Sequence, residues 1–130
     1  MKSIRTADAP APVHGSPYSQ AIVASSGELV FISGQVPIDP LSGEIVSDEI
    51  TAQTEQAMSN LLAILRASGG SIPEIVRCTI YLTDLDDFGA VNAAYGAALE
   101  GHTPARATVE VCALPLGAKV EIDAIAVLGG

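Results

Sequence analysis

The feature that most constrains this chain is the alternation in its closing stretch, Thr103 to Leu128, reading TPARATVEVCALPLGAKVEIDAIAVL. Arg106, Thr108 and Glu110 recur with period two on one side and Ala107, Val109 and Val111 on the other, the signature of a half-buried strand. After a Leu-Pro-Leu-Gly turn, Lys119 to Leu128 alternates again, with Val120, Ile122, Ala124, Ala126 and Leu128 on one face and Glu121, Asp123, Ile125 and Val127 on the other. Read as a hairpin whose apolar rows share one core, the two strands carry Arg106 and Glu121 to the same opposite face. That reading sets a fixed cation near a carboxylate.

Upstream, Met1 to Pro17 holds three prolines and little periodicity and reads as an extended, loop-like arm. Ser19 to Ala24 and Leu29 to Gly34, joined by Ser-Ser-Gly-Glu, read as a hairpin, and Asp39-Pro40-Leu41-Ser42-Gly43 as a turn. A first helix is expected from Ser47, with Asp48 and Glu49 at its positive end, Met58, Leu61, Leu62 and Leu65 at helical spacing, and Gly69-Gly70 as its stop. Val76 to Leu82 follows as a strand with Val76, Cys78, Ile80 and Leu82 inward. A second helix, announced by Asp84, Asp86 and Asp87, buries Phe88, Val91, Tyr95, Ala98 and Leu99, with Asn92 in the same stripe.

The order strand, strand, helix, strand, helix, strand, strand predicts an α+β fold, a single mixed sheet with both helices on one face. At 130 residues the whole chain, 1–130, reads as one domain. The face away from the helices keeps Val30, Ile32, Tyr81, Ile125 and Val127, too apolar to stand in water, so a symmetry copy is expected to cover it.

A formal charge of −9, with six Lys and Arg scattered among fifteen Asp and Glu, opposes a phosphate backbone and makes nucleic acid an unsuitable partner. No apolar run reaches signal-peptide or membrane-span length, so a cytoplasmic protein with no membrane contact is expected. Cys78 and Cys112, both on expected strands, read as buried free thiols, with a disulfide as the less favoured alternative. His14 and His102 have no nucleophile pattern around them, and the Asp84 cluster caps a helix rather than holding a metal. Taken singly, Arg106 and Glu121 also suit a structural ion pair, Asn92 a loop anchor, and Tyr18 packing.

PYSQA at Pro17 to Ala21, ISGQVPIDPLSGEI at Ile32 to Ile45, VNAAY at Val91 to Tyr95, PAR at Pro104 to Arg106 and VEIDAIAV at Val120 to Val127 stand in one order over nearly the whole chain. In that order they resemble the Rid family, the reactive intermediate deaminases of RidA or YjgF type. The resemblance implies a chorismate-mutase-like fold, a homotrimer whose sheets form a central barrel, and active sites in clefts between subunits. It implies a role in metabolite damage control: hydrolysis of 2-imino acids such as 2-iminobutanoate and 2-iminopropanoate to 2-oxo acids and ammonia, with no cofactor. Carried over by motif, the site is Tyr18, Gly34, Asn92, Arg106, Thr108 and Glu121. Arg106 would grip the substrate carboxylate, Thr108 would share it through its backbone amide, and Glu121 would act on the attacking water. Thr108 stands where Cys is frequent in such proteins, Ser16 where Gly is frequent, and the connection Leu99 to Thr103 is expected to border the pocket. A non-catalytic module binding small carboxylates on the same fold, and an RNA-cleaving activity, are the rival functions.

Overall fold

The computed structural model describes residues 1–129. Strands β1 (Lys2–Ile4), β2 (Ala21–Val23), β3 (Glu28–Gln35), β4 (Ile75–Leu82), β5 (Ala105–Glu110) and β6 (Val120–Leu128) alternate with helices α1 (Ile50–Ala67) and α2 (Phe88–Ala98). The main sheet is four-stranded in the order β3-β6-β4-β5, and β1 and β2 form a separate antiparallel pair. The mixed α+β architecture is therefore as expected, but the single sheet is not. Residues 2–4 of the arm are a strand that takes β2 as its partner, while β3 pairs instead with β6.

The expected closing hairpin is also absent. β4 lies between β5 and β6, parallel to the first and antiparallel to the second. Parallel neighbours need a long crossover, and α2 supplies it between β4 and β5. Alternation identifies a strand but carries no information about which strand is its neighbour.

The core lies between the sheet and the two helices. Met58, Leu61 and Leu65 of α1 and Val91, Tyr95 and Leu99 at α2 pack against Ile32, Cys78, Ile80, Leu82, Ile122, Ala124 and Ala126. Register assigns Val30 and Ile32 to this inner face, opposite Ala126 and Ala124. The open face instead shows Leu29 (60 % exposed), Phe31 (69 %) and Val109 (42 %) beside Ile125 and Tyr81. Its apolar character was expected, whereas Val30 and Ile32 were placed on the wrong side. A β-bulge between Ile75 and Arg77 moves Ile75, not Val76, into the buried row.

Helix α1 begins at Ile50, three residues after Ser47, whose hydroxyl accepts from the Glu49 amide at 3.0 Å. It stops at the glycines as expected: Gly69 takes φ +88° and the Gly70 amide returns to the Leu65 carbonyl at 2.9 Å. Buried Gln53 ties this helix to the start of β6, donating to the Ser47 carbonyl at 2.8 Å and accepting from the Lys119 amide at 2.9 Å. That bond fixes the strand that carries Glu121.

Candidate active site

Arg106 pairs in register with Cys78, and Cys78 with Ala124; both partners are buried beneath the helices. Glu121 pairs with Tyr81 on the open face. Successive side chains on a strand point to opposite faces, so Arg106 and Thr108 emerge on the helix side of edge strand β5, and Glu121 on the other. The sheet separates them. This overturns both the shared face and the intrachain ion pair expected from the sequence. The row of β5 turned toward the helices is Arg106 and Thr108, not Ala107 and Val109, and a one-residue change of parity reverses every side chain.

On the helix side, the Arg106 guanidinium sits among three rings, 5.1 Å from the centroid of Tyr95, 5.2 Å from Tyr18 and 5.7 Å from Phe88. Such contacts contribute about 0.5–2 kcal/mol each and orient a cation without neutralising it. No carboxylate is among the charges acting on this group. Burial lowers its pKa, yet a guanidinium stays protonated. Its Nη1 is buried with no hydrogen-bond partner, as are the hydroxyls of Thr108 and Tyr95. A cavity of about 300 Å³ opens here, lined by Val13, Tyr18, Phe88, Arg106, Ala107 and Thr108. An oriented cation with unmet donors in a small cavity is suited to gripping a carboxylate through two parallel hydrogen bonds.

The arm sets Tyr18 in this cavity. Ser19 bridges to Ala105, its amide donates to the Pro104 carbonyl at 3.2 Å, and its hydroxyl to the Thr103 carbonyl at 2.5 Å. The Gln20 side chain closes the loop before it, accepting from the Thr6 amide at 2.6 Å and donating to the Pro10 carbonyl at 2.9 Å. Tyr18 accepts from the Val13 amide at 2.9 Å. Asn92 on α2 donates to the hydroxyl of buried Ser16 at 3.1 Å, and Ser16 donates in turn to the Val13 carbonyl. Asn92 thus anchors the arm in this chain, the plainer of its two sequence readings. None of Leu99 to Thr103 lines the cavity; Val13 and Phe88 form its apolar walls. Phe88 and Tyr95 were legible only as members of a buried helical stripe, and nothing in the sequence singled out Val13.

Glu121 and Gly34 form a second cluster on the open face. A Cβ built on Gly34 would fall against the Glu121 carboxylate, 2.8 Å from its carbon Cδ. Gly34 sits where the β3–β6 register shifts, between Ile32 and Gln35. Its missing side chain leaves the room that Glu121 occupies. The six residues expected at one site are therefore divided: Tyr18, Arg106 and Thr108 together, Gly34 and Glu121 together, and Asn92 behind the arm.

Both cysteines are free, but only Cys78 is buried; Cys112 lies beyond the end of β5 and is exposed, contrary to expectation. Burial pushes the Cys78 thiol up to about 11 and raises the Tyr95 phenol as well. Both groups under Arg106 stay neutral near pH 7. They leave its positive charge for a ligand to meet.

The fold and the oriented cation define a small α+β protein with an arginine-lined cavity at the sheet edge. The chain belongs to the endoribonuclease L-PSP family, whose model matches residues 6–128, and within it to the RidA/YjgF type. It is 52 % identical to Protein DfrA of Myxococcus xanthus over 126 residues, 97 % of this chain and 95 % of that protein. It is 44 % identical to the 2-iminobutanoate/2-iminopropanoate deaminase of Mus musculus over 128 residues, 98 % of this chain and 92 % of that one. The crystal structure of the YjgF gene product from E. coli superposes with a TM-score of 0.74 at 40 % identity, covering 98 % of this chain and 99 % of that one.

Proposed function

We propose that this protein is a deaminase of reactive enamines and imines, hydrolysing 2-iminobutanoate- and 2-iminopropanoate-type acids to 2-oxo acids and ammonia. We further propose that it works as a homotrimer with its sites between chains. The observation that carries this reading is Arg106, a ring-flanked guanidinium with a buried, unpartnered Nη1 and no carboxylate acting on it. A 2-imino acid supplies the missing carboxylate and places its C=N carbon one bond away. The family relationship to a named imine deaminase supports the same substrate class.

In this reading Arg106 binds the carboxylate bidentately and Thr108 donates to it, fixing the reacting carbon. Glu121 of a neighbouring chain takes a proton from water as the oxygen attacks C=N. That proton passes to the imine nitrogen to complete the carbinolamine; Glu121 then carries the hydroxyl proton to nitrogen as well, the C–N bond breaks, and ammonia leaves as C=O forms. The carbon keeps its oxidation level throughout. The apolar open face favours association: Leu29 and Phe31 on one edge strand and Val109 on the other stand exposed there. Bringing that face of one copy toward the edge strand of the next is how a Glu121 can reach an Arg106.

The binding-module reading has one observation in its favour: a single chain holds its anion anchor away from its carboxylate. RNA cleavage, which the family description names, is opposed by fifteen acidic against six basic residues. The separating experiment generates 2-iminopropanoate and 2-iminobutanoate with an amino-acid oxidase and traps them with semicarbazide. A deaminase lowers the trapped imine in proportion to enzyme. An unchanged trapped fraction, with small carboxylates still bound in calorimetry, establishes the binding module instead.

A further inference from the structure

The cavity beside Arg106 is not uniform. Arg106, Thr108 and Tyr18 are its polar lining residues, and Val13, Phe88 and Ala107 its apolar ones, of which Val13 and Phe88 carry the bulk. In a cavity of about 300 Å³, a ligand whose carboxylate meets Arg106 leaves its side chain within reach of those two residues. From this we infer that Val13 and Phe88 determine which substrate side chains are accepted, and that Ser16 is the positioning residue that holds the Val13 wall in place. The inference rests on the imino-acid reading of the site.

Three observations say that the wall is built rather than incidental. Val13 begins a single 3-10 turn, Val13–Gly15, in which His14 takes φ 53°, a left-handed conformation that non-glycine residues seldom adopt. That turn is closed by Gly15 donating to the Pro12 carbonyl at 3.1 Å and the Ser16 amide to the Val13 carbonyl at 2.9 Å. Both polar groups of Val13 are then taken up: its amide by the Tyr18 hydroxyl at 2.9 Å, its carbonyl additionally by the Ser16 hydroxyl. Ser16 is itself held by Asn92 of α2 at 3.1 Å. The helix that carries Phe88 therefore also fixes the turn that carries Val13. The two walls are thereby tied to one helix, and apolar walls held this way favour short alkyl side chains over bulkier ones.

The test compares kcat/KM for the 2-imino acids of alanine and of leucine, each made in place by an amino-acid oxidase, in wild type, Val13→Ala, Phe88→Leu and Ser16→Gly. Val13 is 51 % exposed, so its replacement does not endanger folding. Removing wall atoms is expected to move the ratio toward the leucine-derived substrate by about tenfold in Val13→Ala and Phe88→Leu. Freeing the turn in Ser16→Gly moves it in the same direction by a smaller factor. Each ratio cancels any uniform loss of rate. The same ratio is read by calorimetry with the corresponding 2-oxo acids as ligands. A ratio unchanged within about twofold in both wall variants, by both readouts, overturns the inference. If wild type turns over neither imine, the deaminase reading falls, and the calorimetric ratio still decides the role of the walls.

Discussion

Replacing Arg106 by alanine is expected to lower kcat/KM for 2-iminopropanoate by about a hundred- to a thousandfold while leaving the chain folded. The magnitude follows from two charge-assisted hydrogen bonds to the substrate, about 1.5–3 kcal/mol each, of which part is recovered by water, at about 1.4 kcal/mol per factor of ten. The direction of the stability change is the sharper part. Arg106 carries a half-desolvated charge with a buried, unpartnered Nη1, and a buried donor without an acceptor destabilises a fold. Arg106→Met, which keeps the aliphatic stem against the rings, is expected to hold or raise the thermal midpoint. Arg106→Lys keeps the charge but not the planar fork and is expected to recover only a small part of the activity. Trapping assays and thermal denaturation on the three variants check both halves; a midpoint that falls steeply in Arg106→Met would mark Arg106 as structural.

Gly34→Ala is expected to separate activity from stability in the opposite way to a core mutation. The added Cβ meets the carboxylate end of Glu121, a flexible side chain that can swing aside, rather than backbone. Gly34 is not in a left-handed conformation, so alanine is not strained there and slightly restricts the unfolded chain. The midpoint should therefore stay within a few degrees of wild type. Displacing Glu121 by about 1 Å, however, moves the group proposed to act on water and is expected to cost about 10–100-fold in kcat, with KM little changed. The variant is measured by imine trapping across substrate concentrations. Full activity in Gly34→Ala would remove Glu121 from the chemistry.

What the sequence disclosed about this molecule was local. The period-two runs located β5 and β6 within a residue, and the glycine pair at 69–70 and the Asp84 turn located the helix boundaries because each acts over a few bonds. What it did not disclose were relations between segments. The closing strands look like a hairpin because a turn joins them, yet β4, some thirty residues upstream of β5, fits between them and reverses which row of β5 faces the helices. That single topological fact separates Arg106 from Glu121. The motifs named candidate site residues by likeness, without saying which of them share a face. Ser16 behaved similarly: as a letter it was a departure from the family pattern, and in the fold it is a buried hydroxyl linking Asn92 to Val13. The three-ring environment of Arg106 was hidden for a different reason, since Phe88 and Tyr95 satisfy a helical core stripe equally well.

The central claim is that the site is divided between two chains, and mixing two dead variants tests it most directly. Arg106→Ala and Glu121→Gln are each expected to be inactive alone. When they are co-expressed with different tags and mixed assemblies are isolated, a site regains both native groups wherever its Arg106 comes from a Glu121→Gln chain and its Glu121 from an Arg106→Ala chain. In a closed ring of three that holds both kinds of chain, that is one site in three, so imine hydrolysis should return to about a third of the wild-type rate. Mixed assemblies that remain as inactive as either parent would show that both residues act within one chain, which would contradict a site shared across the sheet.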